Sequence, residues 1–401
     1  MASLDHIVVV GASAAGLAAA DTLRLEGFDG RLTLVGDELW LPYDRTPLSR
    51  HVLAGTCAPH RTSLRPEADL QRLRLSLRLG CRATGLDPVA RTVALPDGER
   101  LRYDGLLIAT GLRPRRLPFG HDLAGVQVLR TLDDALALRA ELLTGPRVVV
   151  VGAGLLGTEI AATARGLGLD VTLVDARTAP LERHLGGFVG ALVADLHRGH
   201  GVRLRLGRRL TGVAGARGRV TGVVLDDGSR LDAEVVVVAI GSVPATDWLA
   251  GSGIPLGDGV LCDPTCRVTP RIGAAGDVAS WPHPFTGGRI RLELRTNATL
   301  QAITAARNLL AGPAGATAYA PVPFGWTDQY DTRIQFHGWS PAGATVEVVD
   351  GAVRARSFVA LHRAGGRVVG AVGWNSPRAL LRYVSRIDLP AAVRDASGSV
   401  R

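Results

Sequence analysis

Short runs of consecutive apolar residues alternate along this chain with segments whose apolar positions recur at helical spacing. Val148–Val151 is four valines in succession, and Leu155–Leu167 follows with a helical period. VTLVDA then closes a second run at Asp175. Runs of this kind, β-branched and without alternation, predict strands buried on both faces of a parallel sheet. The start of the chain repeats the order: Asp5–Val10 predicts a strand, Ala14–Glu26 a helix and Arg31–Val35 a strand.

Glycines stand at both strand-to-helix junctions. Gly152, Gly154 and Gly157 form G-x-G-x-x-G, with an acid, Asp175, at the end of the next strand. This geometry turns backbone N–H groups and a helix N-terminus toward a pyrophosphate, and the acid toward a ribose diol. The earlier junction reads Gly11-Ala12-Ser13-Ala14-Ala15-Gly16, with Ser13 at the second glycine place and Asp37 and Glu38 after the next strand. Downstream of each junction the chain repeats itself, as LPDGERLRYDGLLIATG (95–111) and LDDGSRLDAEVVVVAIG (225–241). Each copy predicts a hairpin with a D-G turn and then a buried strand closing on glycine. Two nucleotide-binding units of common design are therefore expected, the second inserted in the first.

Arg271–Ala279, ending in Gly276-Asp277, predicts the strand that completes the first unit, with Asp277 placed for a ligand hydroxyl. Gly312–Ala316 reads as a linker. Beyond it Thr332–Trp339, Ala355–His362 and Arg367–Trp374 alternate as strands, before a helix at about 376–386. The fold class is α/β: two Rossmann-like dinucleotide-binding domains, one inserted in the other, and a C-terminal α+β domain. The expected boundaries are 1–112 with 242–316 for the first, 113–241 for the second and 317–401 for the third.

Composition narrows the reading. All 46 basic residues are Arg and the net charge is +9, so a basic surface favours acidic partners. No basic block is interleaved with aromatics, which argues against nucleic acid. No apolar run reaches membrane-spanning length and no signal-peptide pattern is present, so no membrane insertion and a cytoplasmic location are expected. The four cysteines show neither metal spacing nor C-x-x-C and are expected to be reduced and incidental, with no metal site. The loop Leu41–Arg50, rich in Pro and Arg, lies where it would touch a bound cofactor.

The chain resembles the bacterial NAD(P)H-dependent ferredoxin reductases of the glutathione-reductase fold, the putidaredoxin, rubredoxin and oxygenase-system type. The resemblance is carried by VVVGASAAGLAAADTLR, PYDRTPLSR, ATG (109–111), VLRTLDDALALR, VVVGAGLLGTEIA, AAGDVA, RTNATLQAITAARNLL and FGWTDQYDTRIQFHG. It implies that Gly11, Ser13, Ala15, Gly16, Asp37 and Glu38 contact FAD through its diphosphate and ribose. Arg45, Pro47, Ala83, Thr110, Gly111 and Arg130 would line the same cofactor. Gly276 and Asp277 would hold the ribityl end, with Trp326 next to the isoalloxazine. Gly152, Gly154, Leu155, Gly157 and Asp175 would cradle NADH, with NADPH less favoured. Glu159 would reach back toward the flavin and pair with Arg50, which stands where the family has Lys. Further departures are Thr46 for Pro, and Arg295 and Gly325 for aromatics.

The activity this implies is hydride transfer from NADH to FAD, then single-electron transfer to a small ferredoxin. Arg50, Glu159 and Trp326 would stand at the reacting centre. The partner would be an acidic ferredoxin, [2Fe–2S] or [3Fe–4S]/[4Fe–4S], serving a cytochrome P450 or a Rieske oxygenase. A disulfide reductase would need C-x₄-C or C-x-x-C facing flavin, which Cys57 and Cys81 are too far apart in sequence to form. Cys262–Cys266, the close pair, is read as reduced and incidental, and no cysteine stands near residue 42 for a related peroxidase or oxidase. An FAD-holding interaction protein with a basic surface is the reading from another class.

Overall fold

The valine run forms its strand, Val148–Val151, with every residue buried, because it pairs in parallel on both sides. The computed structural model of the protein describes residues 4–388. Val171–Asp175 lies on one side and Val235–Val238 on the other. Arg203–Leu206 and Val126–Gln127 complete a five-stranded sheet. The first unit has the same plan around His6–Val10, flanked by Arg31–Val35 and Gly105–Ile108. Leu75–Arg78 and Ile272–Ala274 extend it, with Arg267–Thr269 antiparallel at the edge of a six-stranded sheet.

The repeated segments fold alike. Thr92–Ala94 and Arg100–Arg102 form one hairpin, and Arg219–Leu225 with Arg230–Asp232 the other. The D-G turns sit at Gly98 and Gly228, with φ of 84° and 79°, where a side chain would be strained. Each hairpin leads into the parallel strand beside the glycine-turn strand of its sheet, Gly105–Ile108 or Val235–Val238. The chain crosses between the sheets twice, at Leu112–Pro114 and Ser242–Pro244, and the crossings pair antiparallel.

Downstream of the second crossing the elements differ from expectation. Ile272–Ala274 ends before a tight turn at Gly276–Val278, and Ala279–His283 is a separate strand of a small four-stranded sheet. Gly276 takes a φ of 77°, which breaks the strand the apolar run predicts. The predicted linker at 312–316 lies largely within helix Arg295–Gly315, which kinks at Gly312 and continues through Pro313. The last sheet has five antiparallel strands, in the order Phe324–Gln329, Thr332–Gly338, Arg367–Trp374, Ser357–Ala364 and Thr345–Ala352. Two of these, Phe324–Gln329 and Thr345–Ala352, are absent from the periodicity reading, and Ala355 belongs to a turn that ends at Arg356. The final helix is Pro377–Val384. Among the described residues no helix is long and apolar enough to cross a membrane. No group of three or more His, Cys, Asp or Glu among them is placed to hold a metal.

Candidate functional site: two glycine turns on one cavity

Strand His6–Val10 runs into Gly11 at φ 120°, and Val148–Val151 into Gly152 at φ 107°. A side chain at either would collide with a carbonyl of the neighbouring strand's end, that of Ala109 or Ala239. Gly16 and Gly157 face back onto the carbonyls of Gly11 and Gly152, so each helix lies directly against its turn. Gly154 is different: a Cβ there would meet nothing within 4 Å. It therefore leaves the helix N-terminus open rather than allowing protein to pack. In the first turn Ser13 is the helix N-cap and makes no side-chain cap hydrogen bond.

Both turns border one cavity of about 1190 Å³. Ser13 and Ala15 line it from the first unit, and Gly152, Gly154, Leu155, Glu159 and Asp175 from the second. Gly111, Asp277, Arg50 and Trp326 are also in its wall. A second cavity, of about 840 Å³, is lined by Gly11, Asp37, Glu38, Ala83 and Thr110. Arg45 and Arg130 line both. Gly16, Pro47, Gly157 and Gly276 stand behind the walls; Gly276 N–H donates to Gln301 Oε1 at 2.9 Å and fixes the turn before Asp277. The Thr110 hydroxyl donates to the Ala245 carbonyl at 2.8 Å.

The charged groups of the first unit are only partly committed to one another. Glu38 accepts from Arg45 at 2.6 Å and from the Tyr43 hydroxyl at 2.6 Å, while Asp37 is exposed at the second cavity. Of the two acids expected at a ribose, Glu38 is the one bonded to Arg45 and Tyr43, and Asp37 the one left exposed. Arg130 lies 3.6 Å from Asp277, and its Nε is buried without a hydrogen-bond partner among the described residues. Burial raises the Asp277 carboxyl above the ordinary range, against the pull of Arg130. A partly buried guanidinium with a bare, buried Nε–H, in the wall of the two cavities that the first glycine turn also lines, is suited to a diphosphate-linked cofactor. In the second unit both Asp175 oxygens accept backbone N–H groups, from Ala153 at 2.5 Å and Arg177 at 2.7 Å.

The expected Arg50–Glu159 pair is present but secondary. Arg50 Nε lies 3.8 Å from Glu159, whereas the other arm of the guanidinium bonds Asp328, and Thr46 O accepts at 3.1 Å. Glu159 instead accepts from the Ser49 hydroxyl at 2.6 Å and from Thr327 at 2.8 Å. Burial raises its pKa, with Arg50, Ser49 and Thr327 acting against that rise. Ser49, Thr327 and Asp328 are the residues sequence reasoning missed. Their signal was adjacency to the motifs, since all three sit inside PLSR or WTDQYD.

The departures have local accounts. Arg295 reaches Asp44 at 3.2 Å and Thr299 at 2.5 Å, tying the helix to the Pro-rich loop. At Gly325 a Cβ would strike the Phe336 ring, so aromatic mass comes from the neighbouring strand. Trp326 lines the cavity and lies 5.9 Å from the Phe324 ring centroid. All four cysteines are free thiols. Burial pushes Cys262 up to about 12 and Cys266 well above its ordinary value.

Two parallel-sheet units presenting glycine turns to a shared cavity define a two-dinucleotide reductase. Residues 5–302 match the pyridine nucleotide-disulphide oxidoreductase family and residues 324–396 the reductase C-terminal family. The chain belongs to the pyridine nucleotide-disulphide oxidoreductase family, in its ferredoxin reductase branch. It is 38% identical to rhodocoxin reductase of Rhodococcus erythropolis, over 93% of this chain and 87% of that protein. It is 39% identical to the biphenyl dioxygenase system ferredoxin–NAD(+) reductase component of Paraburkholderia xenovorans LB400, over 94% and 91%. Its fold superposes on the ferredoxin reductase for the CYP199A2 system from Rhodopseudomonas palustris with a TM-score of 0.90, at 35% identity, covering 94% and 93%. Putidaredoxin reductase, in its covalent complex with putidaredoxin, gives 0.89 at 32% identity, covering 95% and 92%.

Proposed function

We propose that this protein takes electrons from NADH through FAD and delivers them singly to an acidic ferredoxin serving a P450 or Rieske oxygenase in the cytoplasm. The observation that carries the reading is that both glycine turns open on one cavity. FAD, when bound, accepts a hydride as an electron pair and releases the electrons one at a time. In this reading residues 1–112 with 242–316 hold FAD and 113–241 hold NADH. Residues 317–401 cover the flavin and take part in docking; of these, 389–401 lie outside the described residues. Gly11, Ser13, Ala15 and Arg130 take the FAD diphosphate, Asp37 its ribose and Asp277 its ribityl hydroxyls. Gly154, Leu155 and Asp175 take NADH. Glu159 and Arg50 set the charge where the two cofactors meet, and Trp326 excludes water there. The ferredoxin carries a [2Fe–2S] cluster, or [3Fe–4S]/[4Fe–4S]. The test is anaerobic reduction of such a ferredoxin by NADH and the FAD-loaded protein; an FAD-loaded protein that NADH reduces but that passes no electrons to any ferredoxin overturns the reading.

Two outcomes follow for specificity. Asp175, at the cavity wall, repels a 2′-phosphate, so kcat/KM should favour NADH over NADPH by about tenfold, or ~1.4 kcal/mol. Asp175→Asn should narrow the ratio. Equal efficiency in the parent would mean that Arg177, in the same wall, receives the phosphate. The second outcome concerns the net charge of +9. The bimolecular rate with ferredoxin should fall at least about threefold between 0.05 and 0.5 M salt, with far less change in flavin reduction by NADH. A salt-independent ferredoxin step would make docking apolar.

A further inference from the structure

Behind Glu159, away from the cavity, a line of buried polar side chains runs through the contact between the NADH unit and the last sheet. The Tyr330 hydroxyl lies 3.0 Å from His197 Nδ1, and His197 Nε2 lies 3.0 Å from Gln329 Oε1. Gln329 Nε2 donates to the hydroxyls of Thr158 at 2.9 Å and Thr327 at 3.2 Å. Thr327 then donates to Glu159 at 2.8 Å, and Thr158 to the Gly154 carbonyl at 2.9 Å. His197, Gln329, Thr158 and Thr327 are buried, Tyr330 is half-buried, and none of the five lines the cavity.

The donors all point one way. Burial lowers the His197 pKa to about 4, so the ring is neutral near pH 7 and carries one N–H. Gln329 Oε1 can only accept, which places that hydrogen on Nε2 and leaves Nδ1 to accept from Tyr330. The reverse amide orientation would draw both threonine hydroxyls onto Gln329 Oε1. Glu159 and the Gly154 carbonyl would then lose their donors. One arrangement satisfies every atom, and it ends on the carboxylate. Aligned donors polarise one another.

We infer that Tyr330, His197 and Gln329 are positioning residues for Glu159: they hold Thr327 as its donor and favour its ionised form. This rests on the proposed place of Glu159 beside the two cofactors. The titratable and charged groups around Glu159 are Arg50 from the loop and Asp328 of the last sheet, which Arg50 bonds and Arg333 approaches at 3.5 Å. Those facing His197 and Tyr330 are His200, whose ring stacks on Tyr330 at 3.6 Å, and Arg165.

The test reads the Glu159 carboxyl directly, as the protonated-carboxyl band in difference infrared titrations of the FAD-loaded protein, assigned by its loss in Glu159→Gln. Thr327→Val should raise the midpoint by about one unit, the loss of one donor to a carboxylate. Gln329→Leu should raise it by less, in the same direction. In the Thr327→Val background Gln329→Leu should add nothing, because it acts through Thr327. Tyr330→Phe, at the half-buried end and the least disruptive to folding, should turn the ¹⁵N signals of His197 from the pure Nε2–H tautomer to a mixture. An unmoved midpoint in folded Gln329→Leu, an equal shift with and without Thr327, or an unchanged His197 tautomer in Tyr330→Phe would overturn the inference. If the midpoints move as expected but Glu159→Gln is reduced by NADH at the parental rate, the chain stands and the placement of Glu159 at hydride transfer falls.

Discussion

Gly154→Val should fold as the parent does and lose most of its affinity for NADH, whereas Gly157→Ala should lose stability first. The two glycines are three residues apart in one motif and do opposite work. At Gly154 the backbone is extended, φ −76° and ψ −173°, which any residue adopts. A Cβ there meets nothing within 4 Å, so folding is indifferent to it. The space it would enter is the cavity, where backbone amides must come within hydrogen-bonding distance of a diphosphate. A branched side chain should raise KM for NADH about a hundredfold, ~2.7 kcal/mol, with Tm within about 2 °C of the parent. At Gly157 a methyl group would be driven into the Gly152 carbonyl, with rigid backbone on both sides. The helix must lift from its strand, at a cost of about 3 kcal/mol, and Tm should drop several degrees. Thermal melts and steady-state kinetics separate the two. Equal melting losses in both variants would show that the motif is structural throughout. Unchanged NADH kinetics in Gly154→Val would remove this turn from the coenzyme site.

This division of labour was only half legible in the sequence. The central strands could be read because residues buried on both faces leave no room for alternation. The duplicated design could be read because the D-G turns at Gly98 and Gly228 and the glycines at Gly11 and Gly152 each demand a positive φ. The motif spelling does not distinguish a glycine kept for a ligand from one kept for packing. That difference lies in what surrounds the Cβ, and the surroundings come from distant strands. The same limit applies to side-chain partners. The family pattern pairs residues 50 and 159, yet the two hydroxyl donors and the other acid around that pair come from Ser49 and from Thr327 and Asp328 on Phe324–Gln329. That strand, FGWTDQ, alternates buried and half-buried positions, but two polar residues, Thr327 and Gln329, stand on its buried face and the aromatics on the other. Thr327 and Gln329 are fully buried, so a hydrophobicity period cannot mark them as core. Where polar groups are buried to serve a carboxylate, periodicity fails for a physical reason.

Removing that carboxylate's charge should trade activity for stability in a pH-dependent way. Glu159 is buried, and burial raises its pKa in the folded protein above that of the unfolded chain. A carboxyl with a raised folded pKa binds its proton more tightly in the native state. Its contribution to stability is therefore fully present below the unfolded pKa and is lost as pH rises through the folded value. Glu159→Gln keeps the shape and leaves an amide to meet the Ser49 and Thr327 hydroxyls without the buried charge. Its Tm should match the parent at about pH 4 and exceed it at about pH 8. The same variant should be reduced by NADH about tenfold more slowly, a loss of ~1.4 kcal/mol in the barrier, while FAD stays bound. Arg50 keeps Asp328 when Glu159 is changed, so the guanidinium is not left alone. Coupling in a double-mutant cycle should therefore be larger for Arg50 with Asp328, about 1 kcal/mol or more, than for Arg50 with Glu159, about 0.5 kcal/mol. Stopped-flow flavin bleaching and melts across pH read both quantities. A Glu159→Gln protein no more stable than the parent at alkaline pH would mean that Arg50 and the two hydroxyls fully offset the burial of that charge. A stronger cycle for Arg50 with Glu159 would restore the direct pair that the family pattern implies.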